Sequence, residues 1–298
     1  MKVLICDPIS DGAIELLKSK LDVEMKGNRD VGELIEDFDA VIVRSATKIT
    51  ASVIEKAKKL KVIGRAGVGL DNIDIEAARK RNIKVINTPR ATSRSVAELV
   101  IAMIFTLSRD LVNATASVKE GKWEKKRFKG REAKGKTLGI IGLGSIGCEI
   151  AEIALGIGMD VIATRAHLEI GCQIEGVKLV PLEDLLSGAD IVSINVPRDS
   201  VTRGMIGKKE IDRMKSGAIL INCARGGIVD EKALYEALKS NKLAGAGIDV
   251  YESEPPENSP LLTLNNVVLT PHIGGQTVEG QERCGMEIAR KVMEALGV

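Results

Sequence analysis

Short apolar runs alternate along this chain with stretches in which apolar residues recur every three or four positions. The runs at 3–6, 23–25, 40–43, 62–64 and 84–86 predict buried strands, and helical spacing at 10–20, 30–37, 51–58 and 73–80 fills the gaps. A long helical stretch, 95–119, has a polar start and an apolar middle. A basic, loop-like segment follows at 122–136 and carries the only tryptophan, Trp123. From residue 137 a second series begins, with strands predicted at 138–141, 160–163, 177–179, 191–194, 218–221, 246–250 and 267–269, and a closing helix at 277–296. Strand and helix alternating twice predict an α/β chain of two doubly wound parallel-sheet domains, Rossmann-like or flavodoxin-like. The first is interrupted if the closing helix packs back on it. That sets a discontinuous domain at 1–93 plus 277–298 and a second at 94–276.

The start of the second series carries the clearest chemistry. Gly142, Gly144 and Gly147 stand in G-x-G-x-x-G spacing between an apolar strand and an apolar helix at 146–155. The first glycine permits the tight turn, the second lets backbone approach a pyrophosphate, and the third lets helix and strand pack closely. Free N–H groups at the helix start, around Ser145 and Ile146, suit phosphate oxygens. The strand before and the strand after make this more than a glycine-rich turn. The second strand would end on Asp or Glu in an NAD site, bonding the ribose 2′-hydroxyl. Here it ends Thr164-Arg165, with His167 just beyond. A guanidinium attracts a 2′-phosphate that a carboxylate would repel, so the expected cofactor is NADP, with NAD as the alternative if Arg165 is a solvated surface charge.

Composition narrows the class. Lys+Arg 43 against Asp+Glu 41 leaves a net charge of +2, which argues against a nucleic-acid surface. The longest strongly apolar run, 99–107, is too short to span a bilayer, and no secretory leader is evident, so a cytoplasmic protein is expected. Five scattered cysteines, Cys6, Cys148, Cys172, Cys223 and Cys284, predict neither a disulfide framework nor a metal pattern. With two histidines, a His-rich metal site is excluded and no metal is expected.

In doubly wound sheets ligands sit beyond the carboxyl ends of strands. The loops there are 44–48, 65–71, 87–93, 197–204, 224–229, 251–256 and 271–275. Four contain ordered motifs: GRAGVGLDNID (64–74), NCARGGIVDEKAL (222–234), GIDVYESEPP (247–256) and TPHIGG (270–275). These resemble the D-isomer-specific 2-hydroxyacid dehydrogenases along essentially the whole chain. Within that family, VRSATKIT (43–50) and ATASVKEGKWEKKRFKG (114–130) are most similar to the 3-phosphoglycerate dehydrogenases.

The resemblance implies a substrate domain and a dinucleotide domain with a catalytic cleft between them, and a homodimer built largely by the dinucleotide domains. It implies that Arg225 binds the substrate carboxylate and carbonyl, that His272 is the acid/base, and that Glu254 pairs with His272. A carboxylate beside an imidazole holds its proton for donation to the developing alkoxide, which Arg225 stabilises. Backbone N–H groups of Gly67, Val68 and Gly69 bind the carboxylate, with Arg44, Ser45 and Arg65 beside them. Val196, Pro197, Thr202, Cys223, Ala224, Asp249, His272 and Gly274 complete the dinucleotide contacts. Asp249 also reads as a strand-end cap, and the two roles are compatible.

A phosphorylated substrate needs further cations: Arg44, Lys48 and Arg65 are candidates, and Lys125, Lys126 or Arg127 could reach across from a partner subunit. The segment 122–131 reads equally as a solvated charge run. Three departures from the family pattern stand out: Thr164-Arg165-Ala166 at the ribose position, Arg90 in NTPRATS, and Arg198 after Val-Pro, which is expected near the adenosine end. The longer phosphoglycerate dehydrogenases carry C-terminal regulatory domains, for which the chain as given has no room, so feedback by serine through such a domain is not expected.

The expected function is therefore hydride transfer between a nicotinamide cofactor and C2 of a small acid, 3-phosphoglycerate and 3-phosphohydroxypyruvate foremost, in serine biosynthesis. An NADPH-linked glyoxylate or hydroxypyruvate reductase is the close rival. A dinucleotide-sensing corepressor sharing the fold is the rival from another class, disfavoured by the absence of an obvious disordered tail.

Overall fold

The structure is a computed structural model and describes residues 1–165 and 174–298. His167 and Cys172 lie outside the described residues. The chain divides into two compact units, Met1–Ser93 with Gly275–Val298, and Arg94–Gly274.

The first unit is a five-stranded parallel sheet. Its strands are β1 (Lys2–Ile5), β2 (Asp22–Met25), β3 (Ala40–Val43), β4 (Val62–Arg65) and β5 (Lys84–Asn87), in the order β2-β1-β3-β4-β5. Side chains alternate between its faces, so Leu4, Val41 and Ile63 join one apolar core while Val3, Ile5, Ala40, Ile42 and Val62 join another. Helices α1 (Asp11–Lys18), α2 (Val31–Leu34), α3 (Ala51–Lys56) and α4 (Ile75–Lys80) connect the strands. Asp30, Thr50 and Asp74 cap the last three, each side-chain oxygen accepting a backbone N–H. The terminal helix, Val278–Leu296, returns to this unit against α1 and β4; Thr277 caps it.

The second unit begins with α5 (Ser93–Arg109) and α6 (Leu111–Lys119). The single helix expected over 95–119 is thus two. Asp110 lies at φ 49°, in the left-handed region, and its carboxylate accepts Asn113 Nδ2 at 2.6 Å. A short polar side chain tolerates that conformation and can bond locally, which the apolar periodicity does not register.

Seven parallel strands follow: β6 (Thr137–Ile141), β7 (Asp160–Thr164), β8 (Val177–Leu179), β9 (Ile191–Ile194), β10 (Ala218–Asn222), β11 (Leu243–Ile248) and β12 (Val267–Leu269). Their order is β12-β11-β10-β9-β6-β7-β8. It reverses between β6 and β9, the switch point at which such sheets bind dinucleotides. Helices α7 (Ser145–Gly156), α8 (Leu182–Gly188), α9 (Lys208–Arg213) and α10 (Glu231–Lys239) connect these strands, and the terminal helix is α11. Buried clusters cover both sheet faces. Strand β11 starts and ends earlier than the apolar run 246–250 predicts, because the small residues of LAGAG pair in the sheet while Asp249 turns to bond a loop.

The cysteines correct one expectation and meet another. Cys148, in the first turn of α7, is disulfide-bonded. Sequence spacing gives no sign of this, since pairing depends on separation in the fold. Cys6, Cys223 and Cys284 are free and buried. Burial, with Asp7 adding, pushes the Cys6 thiol up to about 12. Burial likewise raises Cys223, helped by Asp249, and raises Cys284 against the opposing Thr88 hydrogen bond and the Arg65 and Arg44 charges. Iodoacetamide at about pH 8 is therefore expected to leave all three unmodified in the folded protein, since only thiolate reacts. Peptide mapping checks this, and rapid alkylation of any of the three would contradict it.

Candidate active site

The dinucleotide turn lies at the end of β6. Gly142 adopts φ 96°, and a Cβ on Gly147 would stand 2.3 Å from the Gly142 carbonyl oxygen, so helix and turn approach closer than any side chain allows. A Cβ on Gly144 would meet nothing within 4 Å. Gly144 is also the N-cap of α7 and supplies no side chain to bond the first-turn N–H groups. Open space before an uncapped helix start, with Ser145 and Ile146 in its first turn, fits a pyrophosphate. Next in the sheet, β7 ends on Thr164, whose carbonyl accepts Gly142 N–H at 2.9 Å, and half-buried Arg165 follows.

After β9, Thr202 folds the turn that carries Val196 and Pro197. Its hydroxyl donates to the Pro197 carbonyl at 2.6 Å and accepts Asp199 N–H at 2.9 Å. Arg198 donates to the Gly226 carbonyl at 3.4 Å. That bond ties the turn after β9 to the loop after β10.

Three adjacent strands, β10, β11 and β12, present Arg225, Glu254 and His272 in the loops at their carboxyl ends. Asn222 shapes the first loop: Oδ1 accepts Ala224 N–H and Nδ2 donates to the Arg225 carbonyl, both at 3.1 Å. Cys223 and Ala224 are buried beneath, and Arg225 is half-buried. A Cβ on Gly226 would stand 1.7 Å from the Tyr251 carbonyl oxygen, so only glycine lets the Arg225 loop lie against the loop that carries Glu254. The Tyr251 hydroxyl pins that second loop by donating to the Thr270 carbonyl at 3.0 Å.

His272 Nδ1 and Glu254 Oε2 are 2.9 Å apart, and Glu254 Oε1 accepts Tyr251 N–H at 3.2 Å. The carboxylate is fixed on one side and occupied by the imidazole on the other. Both side chains remain nearly half exposed, at 47% and 40%. His272 sits at φ 54°, left-handed and uncommon for a residue with a side chain. Asp249 holds it there. Its buried carboxylate accepts the Thr270 hydroxyl at 2.6 Å and the Ile273 and Gly274 N–H groups at 2.8 Å each. Asp249 therefore caps the strand end and sets the His272 loop. Asn222 and Tyr251, which the sequence reading passed over, are recognisable only as companions of the ARGG and EPP motifs.

In the first unit, Arg44 directly follows β3, and its guanidinium bonds the Pro8 carbonyl at 3.4 Å and Gln276 Oε1 at 3.2 Å. Ser45 and Lys48 are exposed beside it. Arg65 ends β4 and folds back over Gly67. The loop of Gly67, Val68 and Gly69 is tied to β5: Asn87 Nδ2 donates to the Val68 carbonyl at 2.7 Å, and Thr88 N–H to the Gly67 carbonyl at 3.1 Å. Arg90 is exposed. In the basic segment of the second unit, Lys122 and Arg127 pair with Glu120 and Glu124, and Lys125 and Lys126 are exposed. No group of three or more potential metal ligands occurs among the described residues, and none of their helices is long and apolar enough to cross a membrane.

Residues 101–274 match the model of the D-isomer specific 2-hydroxyacid dehydrogenase, NAD binding domain. The chain is 47% identical over 302 residues to a D-3-phosphoglycerate dehydrogenase of Methanocaldococcus jannaschii, covering 99% of this chain and 57% of that protein. It is 45% identical over 305 residues to a hydroxypyruvate reductase of Thermotoga maritima, covering 100% of this chain and 99% of that one. The chain thus spans little more than half the length of the first relative and nearly all of the second. An acyclic imino acid reductase solved with NADPH and D-arginine superposes with a TM-score of 0.91 at 30% identity, over 100% of this chain and 97% of that one. Parallel sheets of this order, a glycine turn at the switch point and a His–Glu pair beside an arginine loop go with these matches: the chain belongs to the D-isomer-specific 2-hydroxyacid dehydrogenase family.

Proposed function

We propose that the protein reduces 3-phosphohydroxypyruvate, and oxidises 3-phosphoglycerate in reverse, with NADP(H) preferred over NAD(H). The observation that carries the reaction is the 2.9 Å pair of His272 and Glu254, two strand ends from Arg225. With Nδ1 donating to the carboxylate, Nε2 is left to exchange a proton with substrate. The bound dinucleotide supplies or accepts the hydride at C2. As C2 is reduced, the carbonyl oxygen takes the proton from His272 Nε2, and Arg225 holds the negative charge that develops before transfer. Glu254 keeps the ring oriented throughout, and in this reading Asp249, which caps the His272 loop, also serves the nicotinamide carboxamide. The backbone of Gly67, Val68 and Gly69 binds the carboxylate, and Arg44, Ser45 and Arg65 serve the phosphate end.

The 47% identity to a phosphoglycerate dehydrogenase supports this substrate. A second reading, an NADPH-linked hydroxypyruvate or glyoxylate reductase, is favoured by one observation: the hydroxypyruvate reductase match extends over 99% of that protein. Placement in serine biosynthesis and in the cytoplasm belongs to the first reading. A homodimer does too, and the exposed apolar residues Phe105, Leu111, Val112 and Val118 on α5 and α6, with Trp123 84% exposed, support it.

The cofactor preference rests on Arg165, directly after β7. The imino acid reductase of the same fold, solved with NADPH, supports this reading. Discrimination of roughly 1–3 kcal/mol is expected, because partly exposed charges are screened. Arg165→Asp is expected to reverse the ratio of kcat/KM for NADPH to that for NADH at fixed ionic strength. A wild-type protein that works better with NADH would overturn the preference.

A further inference from the structure

The loop that carries Arg44 and Ser45 is gripped by residues without any assigned role. Asp7 stands two residues past β1, beside β3, and is buried at 5% exposure. Its Oδ2 accepts the N–H of Arg44 at 2.6 Å and of Thr47 at 3.2 Å, and its Oδ1 accepts the Thr47 hydroxyl at 2.7 Å. Asn72 closes the loop from the other side, Nδ2 donating to the Arg44 carbonyl at 2.7 Å and the Thr47 carbonyl at 2.6 Å. Residues 44 and 47 are thus tied at both N–H and C=O. The intervening Ser45 and Ala46 are exposed at the tip.

The second unit contains the same construction. Asp249, one residue past β11, accepts two N–H groups and a threonine hydroxyl from the loop past the neighbouring strand, and that loop carries His272. In both units a buried carboxylate at one strand end fixes the loop at the next, and in both that loop bears a functional side chain. A fully bonded buried carboxylate of this kind specifies one geometry, because each lost bond leaves a buried donor unmet.

We infer that Asp7 is a positioning residue for substrate: it fixes the 44–47 loop so that Arg44 and Ser45 meet the phosphate end of the acid. This rests on the reading of Arg44 as a substrate ligand. The role is geometric and does not need the charge. An asparagine can accept both N–H groups through its oxygen and donate to the Thr47 hydroxyl through its amide, whereas alanine can do neither.

Steady-state kinetics with phosphohydroxypyruvate test this on Asp7→Ala, Asp7→Asn, Thr47→Val, Arg44→Ala and the Asp7→Ala/Arg44→Ala double variant. Asp7→Ala is expected to raise KM for the acid about tenfold, with a smaller change in kcat and unchanged KM for the dinucleotide. Asp7→Asn should recover to within about threefold of wild type, and the double variant should lose less than the product of the two single losses, since Asp7 acts partly through Arg44. If Asp7→Ala does not fold, Thr47→Val decides: a raised KM for the acid supports the inference, and a wild-type value overturns it. Losses that multiply in the double variant, or a wild-type KM in folded Asp7→Ala, overturn the inference alone. A wild-type KM in Arg44→Ala overturns the assignment of Arg44 itself and the inference with it.

Discussion

Arg225→Ala is expected to lower kcat/KM for keto-acid reduction by at least about 100-fold, equivalent to roughly 3 kcal/mol of lost transition-state stabilisation. The basis is local. Arg225 leaves β10 at the carboxyl end of the sheet, its loop is folded by Asn222, and Gly226 lets that loop lie on the Tyr251 carbonyl. In the proposed reaction, a guanidinium on a loop held in this way would meet the charge that grows on the substrate oxygen with little reorganisation. Dinucleotide affinity should change little, because the glycine turn and Arg165 lie at other strand ends. Measuring kcat/KM and dinucleotide binding on the same folded variant separates the two effects. Turnover near wild type would remove Arg225 from the chemistry.

His272→Ala is expected to slow the chemical step by about 100-fold or more, within the range for loss of a general acid. The loss should fall on kcat, with the dinucleotide KM retained. Glu254→Gln should be less severe, because the amide oxygen can still accept the Nδ1 hydrogen at the 2.9 Å position while the charge is lost. If Glu254 acts through His272, as the 2.9 Å pair supports, the His272→Ala/Glu254→Gln double variant should be no slower than His272→Ala. Rate losses that multiply would mean that Glu254 acts apart from the imidazole. Single-turnover measurement keeps product release from masking the result.

Much of this was legible in the sequence because parallel sheets buried on both faces write themselves as short apolar runs. The residues 40–43, 177–179, 191–194 and 267–269 were expected as strands and are strands. The two parallel sheets follow from the alternation of those runs with helical spacing. Failures came where a single polar residue overrides periodicity. Asp110 breaks a helix that its apolar neighbours would continue, and Asp249 leaves β11 to bond a loop. The disulfide at Cys148 depends on the fold and left no pattern in spacing.

The site shows the same division. Arg225, Glu254 and His272 sit in motifs that mark their loops, and adjacent strands bring those loops to one sheet edge. The residues that shape the loops are less visible: Asn222 bonds backbone two and three residues away, Tyr251 reaches the Thr270 carbonyl, and in the first unit Asp7 holds the Arg44 loop across 37 residues of sequence.

The most direct test of the account is the reduction of phosphohydroxypyruvate, hydroxypyruvate and glyoxylate by the wild-type protein, each with saturating NADPH. The account predicts turnover of all three, with kcat/KM highest for phosphohydroxypyruvate. The margin over glyoxylate is expected to be at least about tenfold, the worth of a charge-assisted phosphate contact. No turnover of any of the three would contradict the assignment of keto-acid chemistry to Arg225, His272 and Glu254, and a preference for glyoxylate or hydroxypyruvate would contradict the phosphate-binding role of Arg44 and Arg65.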